Sequence, residues 1–250
     1  MSFATSLVRS AFDLLGFEIR RRHRIRIAEL SFDGSLADRV KSLSDRFKMY
    51  HIGCGVAMVD GFLNIDAGFE YGQQSGKLYA LCRKPSTYIL EHDVKNGIPA
   101  ASESLEVIYH SHFFEHLTDH EGIGFLSEFH RSLVSGGLMR FAVPDFNLWC
   151  SNYISGNNEF FNWYRKAYLS DNTLHYKTNA LVFMGMLYNW GHRMACDYES
   201  LTERLVTIGF TKIRRADWGI SEKIRNIALF EEPQSQRRVE SLVVECTKQS

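Results

Sequence analysis

The sequence predicts an α/β fold with a mostly parallel seven-stranded sheet, helices on both faces and antiparallel last strands. Short apolar runs alternate with amphipathic helical segments, a pattern typical of a parallel sheet that is covered on both sides. A glycine-rich turn, Gly53-Cys54-Gly55, follows the first of these runs. Apolar residues make up 45% of the 250 residues, so the chain can bury the core that one such domain needs.

Seven runs rich in apolar and β-branched residues are predicted as strands. Each is short and ends at a turn or at a polar cluster, as buried strands do. The runs are 48–53, 62–66, 88–92, 105–111, 138–143, 212–217 and 241–247.

Two amphipathic helices are predicted in the second half of the chain. Thr118 and Glu121 have the spacing of a capping box, which begins the first helix, and the Gly136-Gly137 pair is expected to end it. The second helix is predicted to follow Asp197 or Ser200 and to end at Gly209.

Residues 1–46 are predicted as a basic helical extension that precedes the main domain at 47–250. Apolar residues at helical spacing are followed there by Arg20, Arg21, Arg22, Arg24 and Arg26. The favoured interpretation is a solvated helix that docks its apolar stripe on its own domain. A basic amphipathic helix can also lie on an anionic membrane surface, which would place the protein peripherally at the inner face of a membrane.

An aromatic-rich helical insert is predicted at about 146–190, directly after the fifth strand. It follows the strand on the side where the carboxyl ends of the strands open, so it can face a substrate. A helical subdomain with its own aromatic core is the simpler alternative, and the two are compatible.

Charge and cysteine content limit the classes of function. Lys+Arg and Asp+Glu number 29 each, so the neutral chain shows no drive towards nucleic acid. The five cysteines are scattered without a CxxC pair, which favours a reducing, cytoplasmic compartment over a disulfide scaffold. No apolar run approaches the ~20 residues that span a bilayer.

The stretch HIGCGVAMVDGFLNID, residues 51–66, has the glycine pair and the downstream aspartate of a nucleotide-binding turn. A dinucleotide fingerprint also needs a third glycine, where Met58 stands, and an acidic residue about 20 positions on. Asp66 follows Gly55 by only eleven residues, which leaves little room for the helix whose N-terminus would hold a pyrophosphate. The spacing therefore favours a nucleoside without phosphates, and S-adenosylmethionine (SAM) fits that description.

Several motifs in order resemble the class I SAM-dependent methyltransferases, which have a Rossmann-like fold. They are HIGCG, GFLNID, HDVKNGIP, LEVIYHSHFFEHL and RSLVSGGLMRFAVPDF, followed by GHRMACDYESLTERLVTIGF and SLVVEC. The resemblance covers about residues 48–247 and is greatest for the subgroup found in polysaccharide and glycolipid biosynthesis. It implies SAM as the cofactor and a methyltransferase domain at 47–250.

The resemblance also implies a set of cofactor-binding residues. The methionine-binding turn would be Gly53, Cys54 and Gly55, and Asp66 would bind the ribose. Asp93 would meet the adenine edge with Val94 beside the ring, and His110 and Ser111 would line the floor beneath the sulfonium. One departure is His51, which stands where many members of the family carry an acidic residue.

A histidine cluster, HSHFFEHLTDH, follows the fourth strand at residues 110–120. The methyltransferase interpretation places Glu115 and His116 at the rim of the transfer site, where His116 can take a proton from the acceptor. His192 is expected on the same acceptor side. The stretch also matches the H-x-x-E-H of zinc hydrolases through His112, but a strand leads directly into it, so no metal ligands are predicted.

The predicted function is transfer of a methyl group from SAM to a small-molecule or glycan acceptor, for example a sugar hydroxyl. Three alternatives come from other classes: a non-catalytic binding module that kept the fold, a zinc-dependent hydrolase, and a nicotinamide oxidoreductase. The sequence identifies neither the acceptor nor the oligomeric state.

Overall fold

The computed structural model describes residues 27–30, 36–55, 57–67, 78–81, 84–169 and 175–249. The predicted basic helix at 1–26 lies outside the described residues, so its membrane contact stays a prediction. None of the helices in the described part of the chain is long and apolar enough to span a bilayer.

One sheet of nine strands organises the described residues. In chain order the strands are β1 Ile27–Leu30, β2 Met49–Ile52, β3 Leu63–Asp66, β4 Leu78–Leu81, β5 Lys84–Glu91, β6 Leu105–Ser111, β7 Leu133–Pro144, β8 Phe210–Arg215 and β9 Ser241–Lys248. Their order across the sheet is β1-β4-β5-β3-β2-β6-β7-β9-β8. The predicted class is confirmed: the seven expected strands form a mostly parallel sheet, and two further strands, β1 and β4, extend it.

The five central strands are parallel and have a doubly wound order. β2 pairs with β3 on one side and with β6 on the other, and β5 and β7 continue the two halves. β9 runs antiparallel to both β7 and β8, as predicted for the last strands. The chain order therefore reverses between β2 and β6, and ligands of such sheets bind beyond the carboxyl ends of the strands at this switch point.

Three helices cover one face of the sheet with an apolar core. They are α1 Leu36–Arg46, α2 Asp119–Ser132 and α6 Tyr198–Ile208, numbered with those of the insert below. Leu43, Phe129 and Leu205, one from each helix, belong to the same buried cluster. α2 begins with the predicted capping box of Thr118 and Glu121, and α6 ends at Gly209 as expected.

The opposite face of the sheet, where helices were also predicted, is covered in the described residues by the irregular segment 216–236 that joins β8 to β9. One short 3₁₀ turn, Ile227–Leu229, lies in this segment. Arg140 of β7 is fully buried beneath it and donates to Glu231, to Glu245 and to the carbonyl of Asp217. The ion pairs and hydrogen bonds of this buried guanidinium thus hold the segment against the sheet.

The predicted insert forms a helical subdomain with an aromatic core. Its helices are α3 Phe146–Ile154, α4 Asn158–Tyr164 and α5 Asn179–Tyr188. Trp149 is fully buried, and Phe160 and Tyr164 meet its ring edge-on at centroid distances of 4.9 and 4.6 Å. The interpretation as an aromatic core is confirmed.

Two boundaries differ from the expectations. α2 ends at Ser132 and β7 begins at Leu133, so Gly136-Gly137 lies inside the strand rather than at a helix end. Part of the predicted extension is integral to the sheet, because β1 pairs with β4 and the Ser44 hydroxyl of α1 accepts the Ala101 N–H at 2.8 Å.

Candidate functional site

A cavity of about 400 Å³ opens beyond the carboxyl ends of β2 and β6, at the switch point of the strand order. β2 and the connection after it contribute His51, Gly53, Cys54, Gly55 and Ala57, and the end of β6 with the residue after it contributes Tyr109, Ser111 and His112. Phe230 and Arg237, from the chain between β8 and β9, complete the lining. We call this space the switch-point cavity.

The turn Gly53–Gly55 is held to the end of β3. The Gly55 N–H donates to Asp66 Oδ2 at 2.8 Å, so the turn and the predicted ribose-binding carboxylate are adjacent. Gly55 has φ of +50°, and nothing described lies within 4 Å of the position that a Cβ would take. At Gly53 that position lies 2.5 Å from the Phe113 ring, so a side chain there would clash. Gly53 thus accommodates Phe113, whereas Gly55 is open to a ligand.

The connection from β2 to β3 is short, and its described residues contain no helix, as the spacing predicted. Asn64, fully buried in β3, holds this connection. Its side chain accepts the Val59 N–H at 2.9 Å and donates to the Val59 and Tyr88 carbonyls. The helix N-terminus that a pyrophosphate requires is therefore missing here, which disfavours the nicotinamide alternative.

His51 is buried rather than presented as a charged group. Its Nδ1 lies 3.3 Å from Asn64 Oδ1, and its ring meets Phe230 edge-on at 4.9 Å. Burial lowers the pKa of His51 to about 4, against the smaller opposing effect of the Asn64 contact. The residue that replaces the expected acidic side chain is therefore neutral at pH 7.

Two predicted adenine-binding residues lie away from the switch-point cavity. Asp93 caps the 3₁₀ turn Val94–Asn96 by accepting the Lys95 N–H at 2.9 Å. Val94 lines a second cavity of about 380 Å³, together with Phe125 of α2. Their assignment to adenine stays a prediction.

His110 is placed differently from the expectation that it lines the cofactor floor. Its ring is fully buried in the helix-covered face, stacked on Phe141 at a centroid distance of 4.8 Å. Neither ring nitrogen has a hydrogen-bond partner among the described residues. Burial lowers its pKa to about 3. Successive residues of a strand point to opposite faces, so Tyr109 and Ser111 reach the cavity while His110 does not.

The three predicted catalytic side chains lie together. Oxygen and nitrogen atoms of Glu115, His116 and His192 lie within 4.8 Å of one another, and we call these residues the Glu115 cluster. Glu115 and His116 belong to a 3₁₀ turn after β6, and His192 follows the insert. The Glu115 carbonyl accepts the N–H groups of Arg193 and Met194 at 2.8 and 3.1 Å, which ties the two segments together.

His112 connects the switch-point cavity to the Glu115 cluster. It lines the cavity, its Nδ1 lies 3.2 Å from Glu115 Oε1, and its Nε2 lies 2.7 Å from the Ser241 hydroxyl. Burial raises the pKa of Glu115, but the contacts with His112 outweigh it and hold the pKa below its usual range. The turn is not the continuous helix that the H-x-x-E-H hydrolase motif requires, so that alternative loses its geometry.

Sequence reasoning missed four residues of the switch-point cavity: Ala57, Tyr109, Phe230 and Arg237. Tyr109 and Phe230 pack with ring centroids 4.4 Å apart and give the cavity an apolar wall. Arg237 begins the short helix α7, Arg237–Glu240, and brings a positive charge to the opening. Phe230 and Arg237 come from a segment with no recognisable motif, so no local signal could have identified them.

No protein-family model matches the chain, and no curated protein is detectably similar to it in sequence. Among solved structures, a SAM-dependent methyltransferase from Archaeoglobus fulgidus is 14% identical over 86% of this chain and 95% of its own, with a TM-score of 0.45. A SAM-dependent methyltransferase from Thermotoga maritima, described as a possible histamine N-methyltransferase, is 16% identical over 86% of this chain and 88% of its own, also at 0.45. A possible exported protein from Bordetella parapertussis is 12% identical over 86% and 67%, again at 0.45. At these values the similarity assigns neither a family nor an activity to this chain.

Proposed function

We propose that this chain binds SAM in the switch-point cavity and transfers its methyl group to a hydroxyl of an acceptor, such as a sugar of a glycan or glycolipid precursor. The observation that carries the proposal is the position of the cavity between β2 and β6, beside a turn that is open at Gly55. The absence of a helix in the described part of the turn favours a nucleoside without phosphates. The acceptor class is supported by the motif resemblance alone.

The lining fits SAM in size and in chemistry. A volume of about 400 Å³ lies within the range of small-molecule sites, roughly 300–1,000 Å³. The Asp66 carboxylate is not part of the lining itself but accepts the N–H of the lining residue Gly55, and it suits the two hydroxyls of a ribose that extends past this turn. The Arg237 guanidinium suits the carboxylate of the methionine part, a pairing that arginine makes in bidentate form.

When bound, SAM supplies an electrophilic methyl carbon; binding, orientation and proton removal come from the chain. The turn Gly53–Gly55 would hold the methionine part, and Asp66 the ribose. His112 separates the Glu115 cluster from the switch-point cavity. The cluster would face the acceptor and lie close to the acceptor hydroxyl that loses its proton. Positioning of two reactants in line is itself a large contribution to the rate of such a transfer.

Calorimetric titration of SAM into ligand-free protein tests the cofactor. We expect one site per chain and an affinity in the micromolar range. Asp66→Asn keeps an oxygen for the Gly55 N–H but loses the charge and one acceptor, so its Kd should rise by roughly tenfold or more, a loss of about 1.4 kcal/mol or more.

Asp60→Asn is the matched control, because Asp60 is an exposed carboxylate in the same connection. Its Kd should equal that of the wild type. Absence of SAM binding in the wild type would contradict the proposal and favour the non-catalytic module. Where SAM binds, labelled methyl transfer to a panel of sugar hydroxyls and amines identifies the acceptor.

A further inference from the structure

The Glu115 cluster combines one carboxylate with two imidazoles, and the fold holds all three in place. Among the described residues it is the group of histidine, cysteine and acidic side chains whose ligand atoms converge closely enough to share an ion. Glu115 is 1% exposed, and the two histidines are partly buried. The hydrogen bonds from Arg193 and Met194 to the Glu115 carbonyl fix the two contributing segments against each other.

The hydrogen bond of His192 leaves its other ring nitrogen available. His192 Nδ1 lies 2.6 Å from the Met186 carbonyl, which can only accept, so Nδ1 carries the proton and Nε2 keeps its lone pair. A metal-ligating histidine characteristically donates its second ring nitrogen to a carbonyl or carboxylate in this way.

The Glu115 carboxylate is buried in contact with His112. Neither oxygen makes a hydrogen bond of regular geometry within the described part of the chain; the nearest group is His112 Nδ1 at 3.2 Å. A buried carboxylate in this state is costly unless it is paired or coordinates a metal. His112 is held by the Ser241 hydroxyl on its far side, so it orients the carboxylate rather than enclosing it.

We propose that Glu115, His116 and His192 bind one divalent transition-metal ion, of which Zn²⁺ is the representative, with at least one coordination position left open. Two histidines and one glutamate are a ligand set that suits zinc in open, catalytic sites, and imidazole suits other first-row transition metals as well. The set differs from the H-x-x-E-H motif of the sequence in one ligand, because His192 takes the place of His112. His112 contacts the ligand Glu115 rather than the ion.

The position of this site gives the ion a role in the reaction, a part of the inference that rests on the proposed function. His112 lies between the switch-point cavity and Glu115, so an acceptor at the open position would be close to a ligand in the cavity. A metal-bound hydroxyl loses its proton more readily, and that proton passes to solvent. The ion would then replace His116 as the group that activates the acceptor.

The test begins with protein stripped by a chelator and titrated with Zn²⁺ by calorimetry, with no SAM present. We expect one ion per chain. His192→Ala and His116→Ala should each weaken binding by about a hundredfold, since even outer-shell changes cost roughly 10–100-fold. Co²⁺ in place of Zn²⁺ should give visible absorption bands that both variants lose.

His120→Ala is the matched control, because His120 is exposed and lies four residues beyond His116, outside the cluster. It should bind Zn²⁺ as the wild type does. Circular dichroism and thermal melting of the metal-free variants establish that they fold. The wild type and His120→Ala should gain melting temperature with Zn²⁺, whereas His116→Ala and His192→Ala should not at the same Zn²⁺ concentration. Wild-type protein that binds no Zn²⁺, or folded His116 and His192 variants that bind it equally well, would overturn the proposal.

The outcome is separable from that of the proposed function. Binding of SAM without binding of Zn²⁺ removes only the metal site, and binding of Zn²⁺ without binding of SAM removes only the cofactor assignment. If added Zn²⁺ leaves the turnover of the stripped enzyme unchanged, the ion has only a structural role. That result would overturn the inference that the ion activates the acceptor.

Discussion

The two faces of the sheet reach the same degree of burial with opposite chemistry. On the face covered by α1, α2 and α6, the strands contribute apolar side chains such as Ile108, Met139 and Phe141. On the other face, Asn64, Arg140 and Glu245 are equally buried and are satisfied by hydrogen bonds and ion pairs. The first face gains stability mainly from apolar area, whereas the second combines a smaller apolar cluster, around Val107 and Leu138, with a few specific polar contacts.

This difference matters for function, because the switch-point cavity lies at the end of the polar face. Tyr109 and Phe230 of its wall pack against His51, which Asn64 contacts in turn. The covering segment carries both Phe230 and Glu231, the partner of Arg140. The contacts that hold the segment on the sheet therefore also shape the cavity.

The largest effect is expected from Arg140→Met. The change leaves Glu231 buried without its cation and leaves Glu245 with Arg214 only, and breaking a buried pair in this way costs about 3–5 kcal/mol. Met139→Leu, at the neighbouring and equally buried position on the apolar face, should cost less than about 1.5 kcal/mol. Urea denaturation followed by circular dichroism measures both; equal losses would show that the two faces do not differ.

A second prediction uses the buried histidine of each face. His110 has a pKa of about 3 in the folded protein, well below its ordinary 6.5, so the unfolded chain binds a proton that the folded chain excludes. Stability contributed by the neutral ring is present above pH 6.5 and is lost as the pH falls from there towards 3. At pH 5 the loss is about 2 kcal/mol, at 1.36 kcal/mol per pKa unit.

His110→Phe removes this loss, because a phenyl ring suits a site already formed by phenylalanines. Relative to the wild type, the variant should gain about 2 kcal/mol between pH 7.5 and pH 5 in urea denaturation. At pH 7.5 it should be no less stable than the wild type, since the imidazole has no hydrogen-bond partner among the described residues. His51→Phe, on the polar face, loses the Asn64 contact and should be destabilised already at pH 7.5.

The smallest effect is expected from Thr118→Ala at the start of α2 on the apolar face. The variant loses the hydroxyl that accepts the Glu121 N–H and should be destabilised by about 1 kcal/mol. Thr207→Ala in α6 is the control, because Thr207 is exposed and caps no helix. A loss of stability in the control as large as that of Thr118→Ala would mean that helix caps do not set the stability of this face.

The sequence was informative where local pattern determines structure. The capping box at Thr118 and the turn at Gly209 depend on neighbouring residues, and both were predicted correctly. β1 and β4 escaped prediction because they are short strands at one end of the sheet whose formation depends on pairing with each other and with β5. Gly136-Gly137 was misread because a glycine pair can end a helix or lie within a strand.

The candidate site likewise contains some residues that a local sequence pattern identifies and others that it does not. Gly55 and Asp66 could be identified from their spacing after one strand, and the structure joins them by a hydrogen bond. His110 and Ser111 were chosen together, although adjacent strand residues point to opposite faces. Arg237 comes to the cavity from more than 120 residues beyond Ser111, and its position depends on how the irregular segment crosses the sheet.

β8 ends the described sheet beside β9, and an outermost strand offers unpaired backbone groups to any other strand that approaches. Lys212, Arg214 and Arg215 are exposed cationic side chains along this strand; Arg214 pairs with Glu245 and Arg215 with Asp145, and Lys212 has no ion pair among the described residues. Two copies that met edge to edge here would bring like charges together. A chain with no net charge lacks general electrostatic repulsion between copies, so this strand supplies local protection against aggregation at the point where sheets would otherwise join.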